Sequence, residues 1–170
     1  MTRTRIAVFA VLLGMTLAAA AQTHAPSTPA ERDRIVKLSE KLQANPLDPR
    51  LASERAWAMK WISDVPDITV DICEPVYKPM MDARHGNELA QVFTIAATAF
   101  IVQHPDKSEL DVAVNTAAME AMLKAYQAMI AKSPRLRSPE LDDLLDTRDT
   151  GGLEKYVTEA TIKCSNNPKS

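Results

Sequence analysis

Apolar residues recur along most of this chain at intervals of three and four, the spacing that gathers them on one face of an α-helix. After Thr28-Pro29-Ala30-Glu31 the stripe is Ile35, Leu38 and Leu42. That opening is a capping box with proline at the first helical position. The threonine hydroxyl and the glutamate carboxylate each satisfy an amide that a helix start leaves without a partner. The helix is predicted to end near Asn45-Pro46, and Asp48-Pro49 opens a second by the same device. Leu51, Ala58, Trp61 and Ile62 turn inward there, and Trp57 lies one turn from Trp61.

Between residues 66 and 81 the pattern supports two readings. Ile68, Val70 and Ile72 alternate with polar residues as in a strand, while Ile68, Ile72 and Val76 form a helical stripe. No other segment alternates cleanly enough to pair with a strand, so helix is preferred, bent near Pro75 and Pro79. Arg84-His85-Gly86 reads as a turn, with the glycine ending a helix.

Residues 89–103 carry no charge, and a helix apolar nearly all round must be buried on most sides. His104-Pro105-Asp106 is expected to start the longest helix, which ends around Lys132-Ser133-Pro134. Its inner seam is Leu110, Val114, Ala117, Ala121, Ala125 and Ala128, flanked by Met122, Tyr126 and Met129. Ser138-Pro139-Glu140 caps a short helix bearing Leu141, Leu144 and Leu145. Gly151-Gly152 breaks it before a last helix with Leu153, Tyr156, Val157, Ala160 and Cys164. The fold expected is all-α: a compact bundle of six to seven helices around one buried central helix.

The first 21 residues have a different pattern. Arg3 and Arg5 precede an apolar run, and Ala18, Ala19, Ala20 and Ala21 supply the small side chains a signal peptidase requires. The partition expected is a secretory signal peptide over 1–21, a flexible leader over 22–30, one helical domain over 31–165 and a disordered tail over 166–170. The location is then periplasmic or secreted, with no stable membrane span after cleavage, because the apolar run falls short of the roughly 20 residues that cross a bilayer. In that oxidising setting Cys73 and Cys164 are most simply a disulfide, stapling mid-chain to the last helix. The loop-entropy argument gives so long a closure about 4–5 kcal/mol.

Composition narrows the function classes. With 20 basic and 22 acidic residues the net charge is −2, which offers no electrostatic footprint for nucleic acid. His24, His85 and His104 are the only histidines, and none has metal-ligand spacing. His85 beside Asp82, Glu88 or His104 is the one acid–base grouping the sequence suggests. Nucleotide-binding glycine loops and nucleophile elbows are missing from the sequence. The methionines read as core filler rather than copper ligands, and the acidic set from Glu140 to Asp149 as a solvated helix face. No cofactor and no metal are expected.

Two family likenesses bear on this reading. His104-Pro105-Asp106-Lys107 resembles the loop of J-domain co-chaperones, but that family's preceding helix is strongly basic and residues 89–103 are uncharged. Cys73-Glu74-Pro75, the apolar stretch ending at His104-Pro105 and the Ala-rich segment 110–129 follow an order similar to that of amidase immunity proteins of bacterial secretion systems. Those are small, exported, helical and disulfide-bonded; the further cysteine expected after the Ala-rich helix is absent here, where Gln127 follows Tyr126. The chain as a whole resembles small exported all-helical bacterial proteins. With no evident catalytic site the expected function is binding, the amidase-immunity likeness implies an immunity-like or inhibitory role, and the expected partner is another exported or periplasmic protein. Trp57 and Tyr77 are the expected partner-facing aromatics, with His85 and His104 as further candidate binding residues. The alternative is a small-molecule or lipid carrier with an apolar cavity around Phe93, Phe100 and the methionines.

Overall fold

Thr28 caps the first helix, α1 (Pro29–Ala44), through the reciprocal box its sequence predicts. The Thr28 amide donates to the Glu31 carboxylate at 2.8 Å, and the Glu31 amide donates back to Thr28 Oγ1 at 3.3 Å. The structure is a computed structural model that describes residues 25–71, 73–108 and 111–165. The signal-peptide segment, Gln22 to His24 of the leader, Ile72, Leu110 and the tail 166–170 lie outside the described residues. Pro29 and Ala30, assigned by sequence to the leader, belong to α1. Ser27 is held as well, donating from its amide (2.8 Å) and its hydroxyl (2.7 Å) to the Asp67 carboxylate, which Arg32 also grips at 2.9 Å.

After a short 3-10 turn capped by Asp48, α2 (Ala52–Asp64) buries Ala58 and Trp61. The helix preferred over 66–81 forms only in its second half, as α3 (Glu74–Met81). Residues 68–71 are neither helix nor strand. The alternation there marks chain laid on the core, with Ile68 and Cys73 buried, and the Cys73 carbonyl starts the helix by accepting from Val76 and Tyr77.

The turn before α4 (Gly86–Gln103) reverses another expectation. Gly86 begins this helix rather than ending one, and His85 takes the left-handed conformation, with φ of 62°. Space explains the glycine: a Cβ there would lie 2.1 Å from the Met80 carbonyl oxygen. Every residue from 92 to 99 is buried. The buried hydroxyls on α4 are satisfied locally, since Thr98 donates to the Thr94 carbonyl at 2.8 Å and Thr94 to the Ala90 carbonyl at 3.0 Å.

The longest helix, α5 (Val112–Lys132), starts later than His104-Pro105-Asp106 suggests. His104 instead terminates α4, and Asp111 caps α5 by accepting the Ala113 amide at 2.8 Å. Proline and aspartate after a helix end mimic a helix start, and the true cap lies seven residues beyond His104. Along α5 the expected seam is correct at Val114, Ala121 and Ala125 but too narrow. Met119, Met122, Leu123, Tyr126 and Met129 are also buried, because α5 packs against α1, α4, α6 and α7.

α6 (Pro139–Asp149) and α7 (Leu153–Ser165) complete seven α-helices among the described residues, joined by a turn in which Gly151 has φ of 80°. α4 and α5 form the central pair, with α1 across both and α3 against α4 and α7. Cys73 and Cys164, with Cα atoms 5.8 Å apart, form a disulfide between the start of α3 and the last turn of α7. Tyr126 locks α5 to α6: its hydroxyl donates to Asp142 at 2.8 Å and accepts the Ser138 amide at 2.8 Å.

Two outcomes follow. Gly86→Ala should cost about 1–3 kcal/mol in a urea melt, the usual range for forced overpacking, because the obstructing atom is backbone; an unchanged midpoint would contradict the close approach. Burial, with the Asp142 carboxylate opposing ionisation, pushes the Tyr126 phenol up to about 12 from 10.0. The unfolded chain therefore ionises first, so stability present below pH 10 should fall as pH rises toward 12, and Tyr126→Phe should flatten that fall. Stability measured across this pH range in both proteins checks it.

Candidate functional site

The most structured surface feature is an aromatic stack at the α1–α2 junction. Trp57 and Trp61, one turn apart on α2, stack with ring centroids 5.8 Å apart. From α1, the Arg34 guanidinium lies 3.6 Å above the Trp57 ring. Its other side grips the Glu54 carboxylate in a fork, Nε at 2.9 Å and Nη2 at 2.8 Å. Those bonds hold the Glu54 carboxyl below its ordinary range. Arg34 is thus fixed in orientation over the Trp57 ring, which also stacks on the Trp61 indole.

Beside the stack runs an open groove of about 330 Å3, lined by Pro26, Glu31, Trp57, Lys60, Trp61 and Asp64 among others. Trp61 is buried at its floor, while Trp57 stays half-buried at its wall. Glu31 is held below the usual carboxylate value, first by the Thr28 amide and hydroxyl, with a smaller contribution from Trp61. Lys60 pairs with Asp64 one turn along α2. Lys60 and Asp64 are thus paired with each other and Glu31 with Thr28, and the aromatic surface is the chemically distinctive part of this wall.

The other candidates do not gather here. Tyr77 is a correction: it is buried, not partner-facing, with its ring 4.7 Å from that of Phe93 and its hydroxyl 2.6 Å from that of Thr94. His85 and His104 flank opposite ends of the 18-residue α4, roughly 28 Å apart at 1.5 Å per residue, so they cannot share a site. His85 is exposed, with Nδ1 3.5 Å from Glu88. His104 stacks on Phe100 at 4.1 Å, and its Nδ1 lies 3.0 Å from the Phe100 carbonyl oxygen. Both are accounted for by their places at the ends of α4.

Phe93, Met119 and Met122, three of the residues expected to line a carrier's cavity, are at most 1% exposed. Phe100 lies outside that core, on a shallow open groove between α1, α4 and α5. Among the described residues no three His, Cys, Asp or Glu side chains are grouped to hold a metal ion. In the acidic helix α6, Asp142 serves Tyr126 and Arg137, and Asp149 pairs with Arg148.

Arg34 and Glu54 escaped the sequence reading. Their partnership crosses two helices, and nothing in the spacing within either helix announces it.

No protein-family model matches the chain, and neither the curated proteins nor the solved structures provide a match. The described residues include no helix long and apolar enough to cross a membrane.

Removing the clamp tests its geometry. Arg34→Ala should shift indole emission to longer wavelength as Trp57 gains contact with water. The cost in stability should be small, because the pair is exposed to solvent. An unchanged emission spectrum would show that Arg34 does not cover the ring.

Proposed function

We propose that this chain is an exported protein that acts by binding another protein, in an immunity-like or inhibitory role, and not by catalysis. The observation that carries the reading is the clamped Trp57. Tryptophan and arginine dominate the energetics of protein interfaces, and a ring already immobilised loses little freedom on binding. Export is supported by the basic, apolar and small-residue order of the first 21 residues and by the Cys73–Cys164 disulfide. The likeness to amidase immunity proteins supplies the partner class, another exported or periplasmic protein.

Tight burial of Phe93, Met119 and Met122 among the described residues supports the binding reading over a carrier, which requires an enclosed apolar volume. The two described histidines lie at helix ends, and neither shares a cleft with a hydrogen-bonded carboxylate.

Affinity capture with the signal-free protein from its own periplasmic extract should recover a stoichiometric protein partner. Trp57→Ala should weaken that complex by roughly 30-fold or more, the scale of an interface hot spot. Lys155→Ala, at an exposed position of α7, should leave it unchanged. Equal binding by wild type and Trp57→Ala would remove the stack from the interface, and recovery of lipid in place of protein would favour the carrier.

A further inference from the structure

The two ends of the disulfide differ in their surroundings. Cys73 is 3% exposed, beneath α7, with its sulfur 3.7 Å from the Ala160 carbonyl oxygen. Cys164 is only half-buried, on the last turn of a helix that ends the described chain. An attacking thiolate therefore meets Cys164 first, and access decides which sulfur of a disulfide is attacked.

α7 is anchored unevenly. Its first half inserts Leu153 and Val157 into the core, whereas its second half buries only the small side chains of Ala160 and Thr161 and leaves Ile162 53% exposed. By contrast α3, at the other end of the bridge, is fixed by Val76, Tyr77 and Met80, each at most 6% exposed. The second half of α7 is thus the part that depends on the bridge to stay docked.

We propose that the disulfide is a one-sided redox latch, opened at Cys164 by a dithiol reductant, whose release frees the second half of α7 and uncovers Cys73. In the first step a reductant thiolate bonds to Cys164 Sγ, the S–S bond breaks, and Cys73 leaves as a thiolate that takes a proton from solvent. In the second step the reductant's other thiolate attacks its own sulfur in the mixed disulfide and releases Cys164. The net result is two protein thiols and one oxidised dithiol, with two electrons transferred. This device is independent of the partner-binding reading and is tested without a partner.

The folded full-length protein, exposed briefly to glutathione and quenched with N-ethylmaleimide, should carry glutathione on Cys164 and maleimide on Cys73. Mass spectrometry should find that arrangement in at least tenfold excess over its reverse. After complete reduction with dithiothreitol, amide exchange should rise at least tenfold over residues 158–165 and remain unchanged in α4 and α5. Equal or reversed labelling, or no adduct under native conditions, would overturn the one-sided opening. Exchange rising throughout the chain, or nowhere in α7, would overturn the latch.

Discussion

The uncharged face of α4 is the constraint on which the rest of the structure depends. A helix with ten buried positions offers little surface to water along its middle, so other elements must cover it on most sides there. α5 and α1 supply most of that cover, α3 contributes the ring of Tyr77 against Phe93, and α2 closes part of the remaining side. Two close approaches complete the enclosure. Gly86 lets the start of α4 meet the Met80 carbonyl, and small alanines along α4 and α5 let their backbones come together. The hydroxyls of Thr94 and Thr98 do not offset this burial, because each has an acceptor within the helix.

The candidate site follows from that arrangement. With α1 docked on the α4–α5 pair, its outer side is free to meet α2, and Arg34 reaches across to Trp57. The stack stands on covalently short, well-capped elements: the Thr28–Glu31 box at the start of α1 and the Asp48-capped turn before α2. Elsewhere the disulfide fastens α7 to the segment that leads into α3.

What was legible in the sequence was governed by local chemistry. Thr28-Pro29-Ala30-Glu31 identified a helix start to the residue, because every group in the box lies within four positions. The uncharged run from 89 to 103 identified the central helix, since burial on most sides is the only stable outcome for such a pattern. The cysteine pair was legible by count and compartment. Elements decided by distant contacts were not. Tyr77 has the composition of an interface residue, and only the placement of α3 on α4 turns it inward. Gly86 looked like a helix stop because glycine commonly ends helices; the space beside Met80 that actually requires it is visible only in three dimensions. At His104, a proline and an acid after a helix end imitate a start, and Asp111 lacks any stronger local mark. The alternation at 68–70 reports an extended path over the core, a form that the helix-or-strand choice did not include. The Arg34–Glu54 clamp joins two helices and leaves no trace in the periodicity of either.

The measurement that bears most directly on this account is native-state amide exchange along α4. If that helix is the enclosed centre of the fold, the amides of residues 92–99 should exchange only through global unfolding, with free energies equal to the stability from denaturant melts. Exchange of those amides by local opening, as fast as in the outer helices α6 and α7, would contradict it.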